Sequence, residues 1–159
     1  MNTTLVTKEK QPTKLFLIAL ISIWERYGYY SMQAMVVLYM VKILGFSNAD
    51  SYKIFAVFSA LFYLMPIIGG YIADKYWGFK KSVIIGGILL TAGYALLAVP
   101  GSKYFYHALA IISVGGGLFI PNIASLVSNL YRKEDGRREG GFSLFYTSIN
   151  VSYQYDGHW

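Results

Sequence analysis

The chain has no cysteine, which excludes disulfides and thiol chemistry. Its two histidines, His107 and His158, stand apart from each other and from any cluster of metal-ligand spacing. No metal and no cofactor is therefore expected. Charge is scarce as well, at 14% of residues, and acidic residues number 8 against 14 basic ones. A chain so poor in charge is not an ordinary soluble domain. The glycine run Gly115-Gly-Gly117 follows no strand and precedes no Lys-Ser/Thr pair, so it is not a phosphate loop. No nucleophile elbow is present, and nothing supports an enzyme. The apolar stretches lack the alternation that an outer-membrane barrel needs.

What is abundant is hydrophobic length. Hydrophobic residues make up 55% of the 159, and mean hydropathy is +0.43. Runs of about 20 apolar residues point to an all-α, polytopic helical membrane protein. Spans are expected at about 15–44, 52–73, 82–99 and 104–130, the last interrupted by Gly115-Gly-Gly117 and Pro121. Pro66 falls inside the second, and Asn48-Ala-Asp50-Ser51 offers caps for it. Residues 1–13 read as a disordered cytoplasmic tail, and the first span as uncleaved, since no small-residue cleavage site follows it. A fifth apolar segment, 142–151, is ten residues long, short of the about 20 that cross a bilayer. The expectation is a chain that stops inside its fifth span, the beginning of a larger protein, with a polar tail at 152–159.

The first span carries the polar groups. Ser22, Glu25, Arg26, Tyr29, Tyr30 and Gln33 fall at offsets 0, 3, 4, 7, 8 and 11, one face of a helix. A charge at mid-bilayer costs at least about 2.5–3.5 kcal/mol, so the stripe is expected to face protein or a watery cavity. Glu25 and Arg26, being sequence neighbours, point in different directions and are expected to need partners from other helices. A plain packing stripe is the alternative reading. With the N-terminus in the cytoplasm, ten of the 14 basic residues fall inside: Lys8, Lys10, Lys14, Lys75, Lys80, Lys81, Arg132, Lys133, Arg137 and Arg138. Lys42, Lys53 and Lys103 fall outside. The basic excess is thus an orientation signal in a multi-pass cell (inner or plasma) membrane protein, and no nucleic acid partner is expected.

The polar stretch Gly70-Tyr-Ile-Ala-Asp74-Lys75-Tyr-Trp-Gly78-Phe-Lys80-Lys81 resembles the loop between helices 2 and 3 of the major facilitator superfamily. Gly70 suits close helix approach, Asp74 a bond to a helix end or a basic neighbour, and Gly78 a tight turn. Lys80 and Lys81 suit the anionic leaflet. On helix 1, Glu25-Arg26-Tyr27-Gly-Tyr29-Tyr30 is similar to the E-x-x-E-R-F-x-Y-Y signature of the proton-dependent oligopeptide transporter family. Gly117-Leu-Phe119-Ile120-Pro-Asn122-Ile-Ala-Ser125 is similar to that family's helix 4, and Phe142-Ser-Leu-Phe145-Tyr146-Thr-Ser-Ile149-Asn150 to the start of its helix 5. Phe142, Tyr146 and Asn150, four apart, share a face.

The resemblance spans about residues 14 to 151. It implies the first four spans and the start of the fifth of a major-facilitator-type fold, with two six-helix halves holding the cargo between them. It implies transport of di- and tripeptides driven by protons, within the lipid bilayer and together with further C-terminal helices. Arg26 is implied to hold the peptide carboxylate or its coupling network, work that suits a permanent bidentate charge. Tyr29, Tyr30, Tyr63 and Asn150 are implied to line the pocket, and Glu25 to serve proton coupling. Gly70, Asp74, Lys75, Gly78, Lys80 and Lys81 are implied to latch one conformation. Two positions depart from the family. Ser22 stands at its first signature glutamate and Ile120 at its helix 4 lysine, a pair that interacts there in proton coupling. A carrier for another small solute keeps the same fold. A small membrane subunit without transport, or a gene remnant, is the reading of another class.

Overall fold

The computed structural model describes residues 11–132 and 135–155, the side chains of 151–155 excepted. The expectations for residues 1–10 (Lys8 and Lys10 among them), for Lys133 and for residues 156–159 fall outside these. Five helices follow one another: α1 Thr13–Lys42, α2 Asn48–Ile72, α3 Phe79–Leu97, α4 Phe105–Ser128 and α5 Arg138–Tyr155. There is no strand among the described residues. α5 exceeds the apolar stretch 142–151 at both ends, because the polar and charged residues flanking it are acceptable to a helix backbone.

Three local expectations change. The cap of α2 is Ser47, whose Oγ accepts from the Asp50 N–H at 3.1 Å and donates to the Asp50 carboxylate at 2.7 Å. The N-cap thus stands one residue before the stretch Asn48-Ala-Asp50-Ser51 that was expected to supply it. The stretch from Asp74 to Lys81, expected as a loop, is nearly all helical. α2 widens into a π turn over Ala73–Trp77, Gly78 donates to Ala73 O at 2.8 Å, and α3 starts at the next residue. Gly78 has φ 76°, so the tight turn does fall where a glycine is present to take it. Lastly, α4 is continuous through Gly115–Gly117 and Pro121.

The reason lies in packing. α4 is the hub, with α3 on one side and α2 on another, while α1 packs chiefly along α5. A methyl at Gly115 would lie 2.8 Å from Leu90 N on α3, and one at Gly117 would lie 2.5 Å from Met65 Cβ on α2. Small residues let helix backbones meet in this way inside a membrane. Pro121 cannot give Gly117 O its helical hydrogen bond, and against this carbonyl packs Gly69 of α2. Close approach thus belongs to Gly69; Gly70, expected in that role, has only an ordinary contact of 3.8 Å to Pro121. Asn122, fully buried, stitches the same crossing by donating to Leu118 O at 2.7 Å and Gly69 O at 3.3 Å.

The helices alternate in direction. At one end, Tyr131 donates to Gln11 Oε1 at 2.7 Å and Gln11 Nε2 donates to Arg137 O at 3.3 Å. These bonds tie the start of α1 to both sides of the α4–α5 connection. Gln11, expected inside a disordered tail, is therefore held. Arg137 closes that connection onto Asp135 at 2.9–3.0 Å and holds its carboxyl below the usual carboxylate range. At the other end, Phe46 stacks on Tyr106 with centroids 6.4 Å apart. Lys14, Lys75, Lys80, Lys81, Arg132, Arg137 and Arg138 gather at the first end, and Lys42, Lys53 and Lys103 at the second.

Among the described residues, three segments are long and apolar enough to cross a membrane: Asn48–Trp77, Phe79–Leu97 and Phe105–Ser128. Four were expected. α1 has the length, with 30 residues, but its polar stripe keeps it out of that set. Large apolar side chains stay exposed on the outer faces, Trp24 at 76% and Ile67 at 72% among them, which suits lipid and not water.

Candidate functional site

The stripe of α1 turns inward, as its spacing predicts. Ser22 is buried and spends its hydroxyl on Ile18 O at 2.8 Å. Arg26 and Glu25 meet, with Nε 3.3 Å from Oε2, although as sequence neighbours they were expected not to satisfy each other fully. Cβ directions about 100° apart forbid contact near the backbone, but a long guanidinium side chain can bend back over its own helix. The other oxygen, Glu25 Oε1, is buried and makes no hydrogen bond among the described residues. So the pair is half satisfied, and the Glu25 side chain is only 7% exposed.

Beside this pair lies a cavity of about 290 Å³ between α1, α4 and α5. Ser22, Glu25, Arg26, Ile120, Tyr146 and Ile149 line it, with Phe119 and Phe145 closing its floor. Ser22 and Ile120, the two positions that depart from the family signature, thus share one cavity, and neither brings a charge. Arg26 is the cavity's only cation among the described residues.

The other expected pocket residues are dispersed. Tyr29 is buried against α2, stacked on Phe62 at 4.2 Å and edge-on to Tyr30 at 5.7 Å. Tyr30 is half-buried, Tyr63 is 67% exposed, and Asn150 is exposed on α5. None of the four lines the cavity. Tyr146 does, and the four-residue spacing of Phe142, Tyr146 and Asn150 was its signal. Phe119 and Phe145 gave none, since a buried aromatic looks the same wherever it packs.

In the 70–81 stretch, Lys75 donates to the Tyr71 hydroxyl at 3.0 Å and lies 5.4 Å from the ring centres of Tyr71 and Tyr76. Asp74 is exposed and forms no side-chain hydrogen bond or ion pair with the described residues, although a bond to a helix end or a basic neighbour was expected. Lys80 and Lys81 are exposed in the first turn of α3.

Residues 80–152 match the sequence profile described as the POT family. Over 144 residues the chain is 44% identical to dipeptide and tripeptide permease A of Serratia proteamaculans (strain 568), covering 89% of this chain and 28% of that protein. Identity to the permease of the same description from Escherichia coli (strain K12) is 45%, over 89% of this chain and 29% of that one. A crystal structure of peptide transporter POT in complex with sulfate superposes with a TM-score of 0.85 at 38% identity, over 89% of this chain and 30% of the other. A POT family transporter in complex with 5-aminolevulinic acid gives 0.84 at 32%, over 89% and 30%. The chain spans less than a third of the length of these relatives. In sequence and in fold alike, this multi-pass membrane chain is similar to POT-family transporters over part of their length.

Proposed function

We propose that the chain contributes the cationic part of the cargo site in a carrier for di- and tripeptides driven by protons, and acts as a carrier and not as an enzyme. The observation that supports this most is the lone guanidinium of Arg26. It borders a cavity between three helices and is held by one ion pair without hydrogen-bond geometry. A charge so placed is free to take a carboxylate in a bidentate grip. Glu25 is the proton-accepting carboxylate. Tyr29, Tyr30, Tyr63 and Asn150 reach peptide only when further helices close over them, with residues 14–151 forming part of an N-terminal six-helix half. The segment 70–81 acts as a latch through its π turn and basic residues.

The test is a chimera in which residues 14–155 replace the matching stretch of the Escherichia coli dipeptide and tripeptide permease A. Saturable dipeptide uptake driven by an inward proton gradient is expected in proteoliposomes. Arg26→Lys should lower it about 10- to 100-fold, the value of a charge-assisted hydrogen bond. A correctly inserted chimera that carries other small solutes but no peptide would assign the fold a different cargo.

We place the N-terminus in the cytoplasm, following the charge asymmetry of the two ends. The chain's lack of cysteine makes this simple to check. Asn48→Cys and Ser102→Cys should react with a membrane-impermeant thiol reagent in intact cells, whereas Lys80→Cys and Gly136→Cys should be protected. The reverse pattern would invert the orientation.

A further inference from the structure

Glu25 borders a second cavity as well. This one, of about 590 Å³, lies between α1, α3 and α4, and its lining includes Trp24, Glu25, Gly28, Thr91, Tyr94 and Phe119. At Gly28, one turn beyond Glu25, the Tyr94 ring comes close, with Cε2 3.7 Å from where a Cβ would stand, an ordinary contact. The ring therefore lies against α1 beside the carboxylate. Tyr94's hydroxyl is buried and, like Glu25 Oε1, makes no hydrogen bond among the described residues. Thr91, a turn away, gives its hydroxyl to Gly87 O at 2.9 Å. Glu25 and Tyr94 thus line one largely apolar cavity, and each carries a buried polar atom without a partner among the described residues. Leaving both unsatisfied is costly, and a water needs two or more such partners.

The two oxygens of Glu25 differ in their bonding. Oε2 meets Arg26, beside the smaller cavity, and Oε1 is the unpaired one. The ionisable groups around Glu25 are Arg26 of α1, Tyr94 of α3 in the larger cavity and Tyr146 of α5 in the smaller. α4 offers only apolar side chains to the two cavities: Phe119 to both, and Ile120, Ile123 and Ala124 to the smaller.

We propose that Glu25 exchanges its proton through the α1–α3 cavity, apart from the Arg26 cavity where cargo is held, and that the Tyr94 hydroxyl passes the proton. The inference rests on the proton-coupled reading above. In the step, a hydronium entering from bulk gives a proton to the Tyr94 oxygen as Tyr94 gives its own, through a water held between them, to Oε1. Tyr94 ends neutral, Glu25 ends protonated, and ordinary water is left in the cavity. Tyr94 is a positioning and relay residue, and it does not touch peptide. Peptide and proton then approach one carboxylate from opposite sides, so neither blocks the other.

The first test uses the full 159-residue chain in lipid nanodiscs, by infrared difference spectroscopy across the pH range, with Glu25→Gln to assign the carboxyl band. Tyr94→Phe is expected to move that band to higher frequency, as the loss of a water held between the Tyr94 hydroxyl and the carboxyl requires. An unmoved band, or none assignable to Glu25, would overturn the proposal. The second test uses the permease chimera. Tyr94→Phe should lower the ratio of proton-driven accumulation to peptide counterflow about tenfold, the factor carried by one hydrogen bond. An equal loss of both activities, or no change, means that Tyr94 only fills space and overturns the route alone. A chimera with Tyr94 intact that exchanges peptide without ever concentrating it overturns the coupled reading and the route with it.

Discussion

Ile120→Lys is expected to destabilise the protein by about 3–5 kcal/mol, and Ser22→Glu made with it to restore part of that loss. Ile120 is half-buried on α4 and lines the cavity that Ser22 lines from α1. An ammonium placed there meets no carboxylate of its own. Glu25 already leans on Arg26, and Arg26 adds a like charge on the same wall. Ser22→Glu alone should cost less, because its carboxylate arrives near that guanidinium, although it gives up the Ser22 bond to Ile18 O. Together the new side chains form a pair across α1 and α4, so the cycle should show about 1–3 kcal/mol of coupling. Thermal unfolding of both single variants and the double in lipid nanodiscs supplies the four corners. Strictly additive losses would mean that the two side chains do not reach each other. The native residues solve the same problem without charge: a hydroxyl satisfied within its own helix, opposite an aliphatic chain.

The outcome of that cycle bears on why parts of the site were readable. The inward stripe of α1 was legible because polar residues at helical spacing stand out in an apolar run. The Glu25–Arg26 pair was not, because spacing reports Cβ directions, whereas contact is decided by the reach of a long side chain. Composition made residues 74–81 look like a loop. A π turn is defined by which carbonyl receives each N–H, and polarity carries no record of that. The cavity itself is tertiary. Ser22 and Ile120 were brought together by likeness to a family, and the fold sets both on its wall. Tyr63 and Asn150 were named on the same likeness, yet both lie exposed and away from the cavity. The glycines show the limit most clearly, since a run of three reads equally well as a break or as a packing surface.

Gly117→Ala is expected to destabilise the fold by about 1–3 kcal/mol or more, whereas Gly87→Ala should be neutral or stabilising by about 0.5–1 kcal/mol. A methyl at Gly117 would press on Met65 at 2.5 Å from Cβ and 2.8 Å from the carbonyl oxygen, and backbone inside a helix cannot step aside. Relief requires α2 and α4 to separate, which also loosens the Asn122 bond to Gly69 O and the dispersion contacts of the whole crossing. At Gly87 the nearest atom is 3.8 Å away on the Phe119 ring, an ordinary contact, so only the helical preference for alanine remains. Gly116→Ala separates packing from function. Its methyl would meet the Phe62 ring, a side chain that can tilt, but Phe62 stacks on Tyr29. The push therefore travels to the polar face of α1, and peptide uptake by the permease chimera should fall by more than the stability loss accounts for. Unfolding temperatures in nanodiscs, set beside uptake for the three variants, check the order. Equal behaviour of Gly117→Ala and Gly87→Ala would show that α2 and α4 do not meet backbone to backbone.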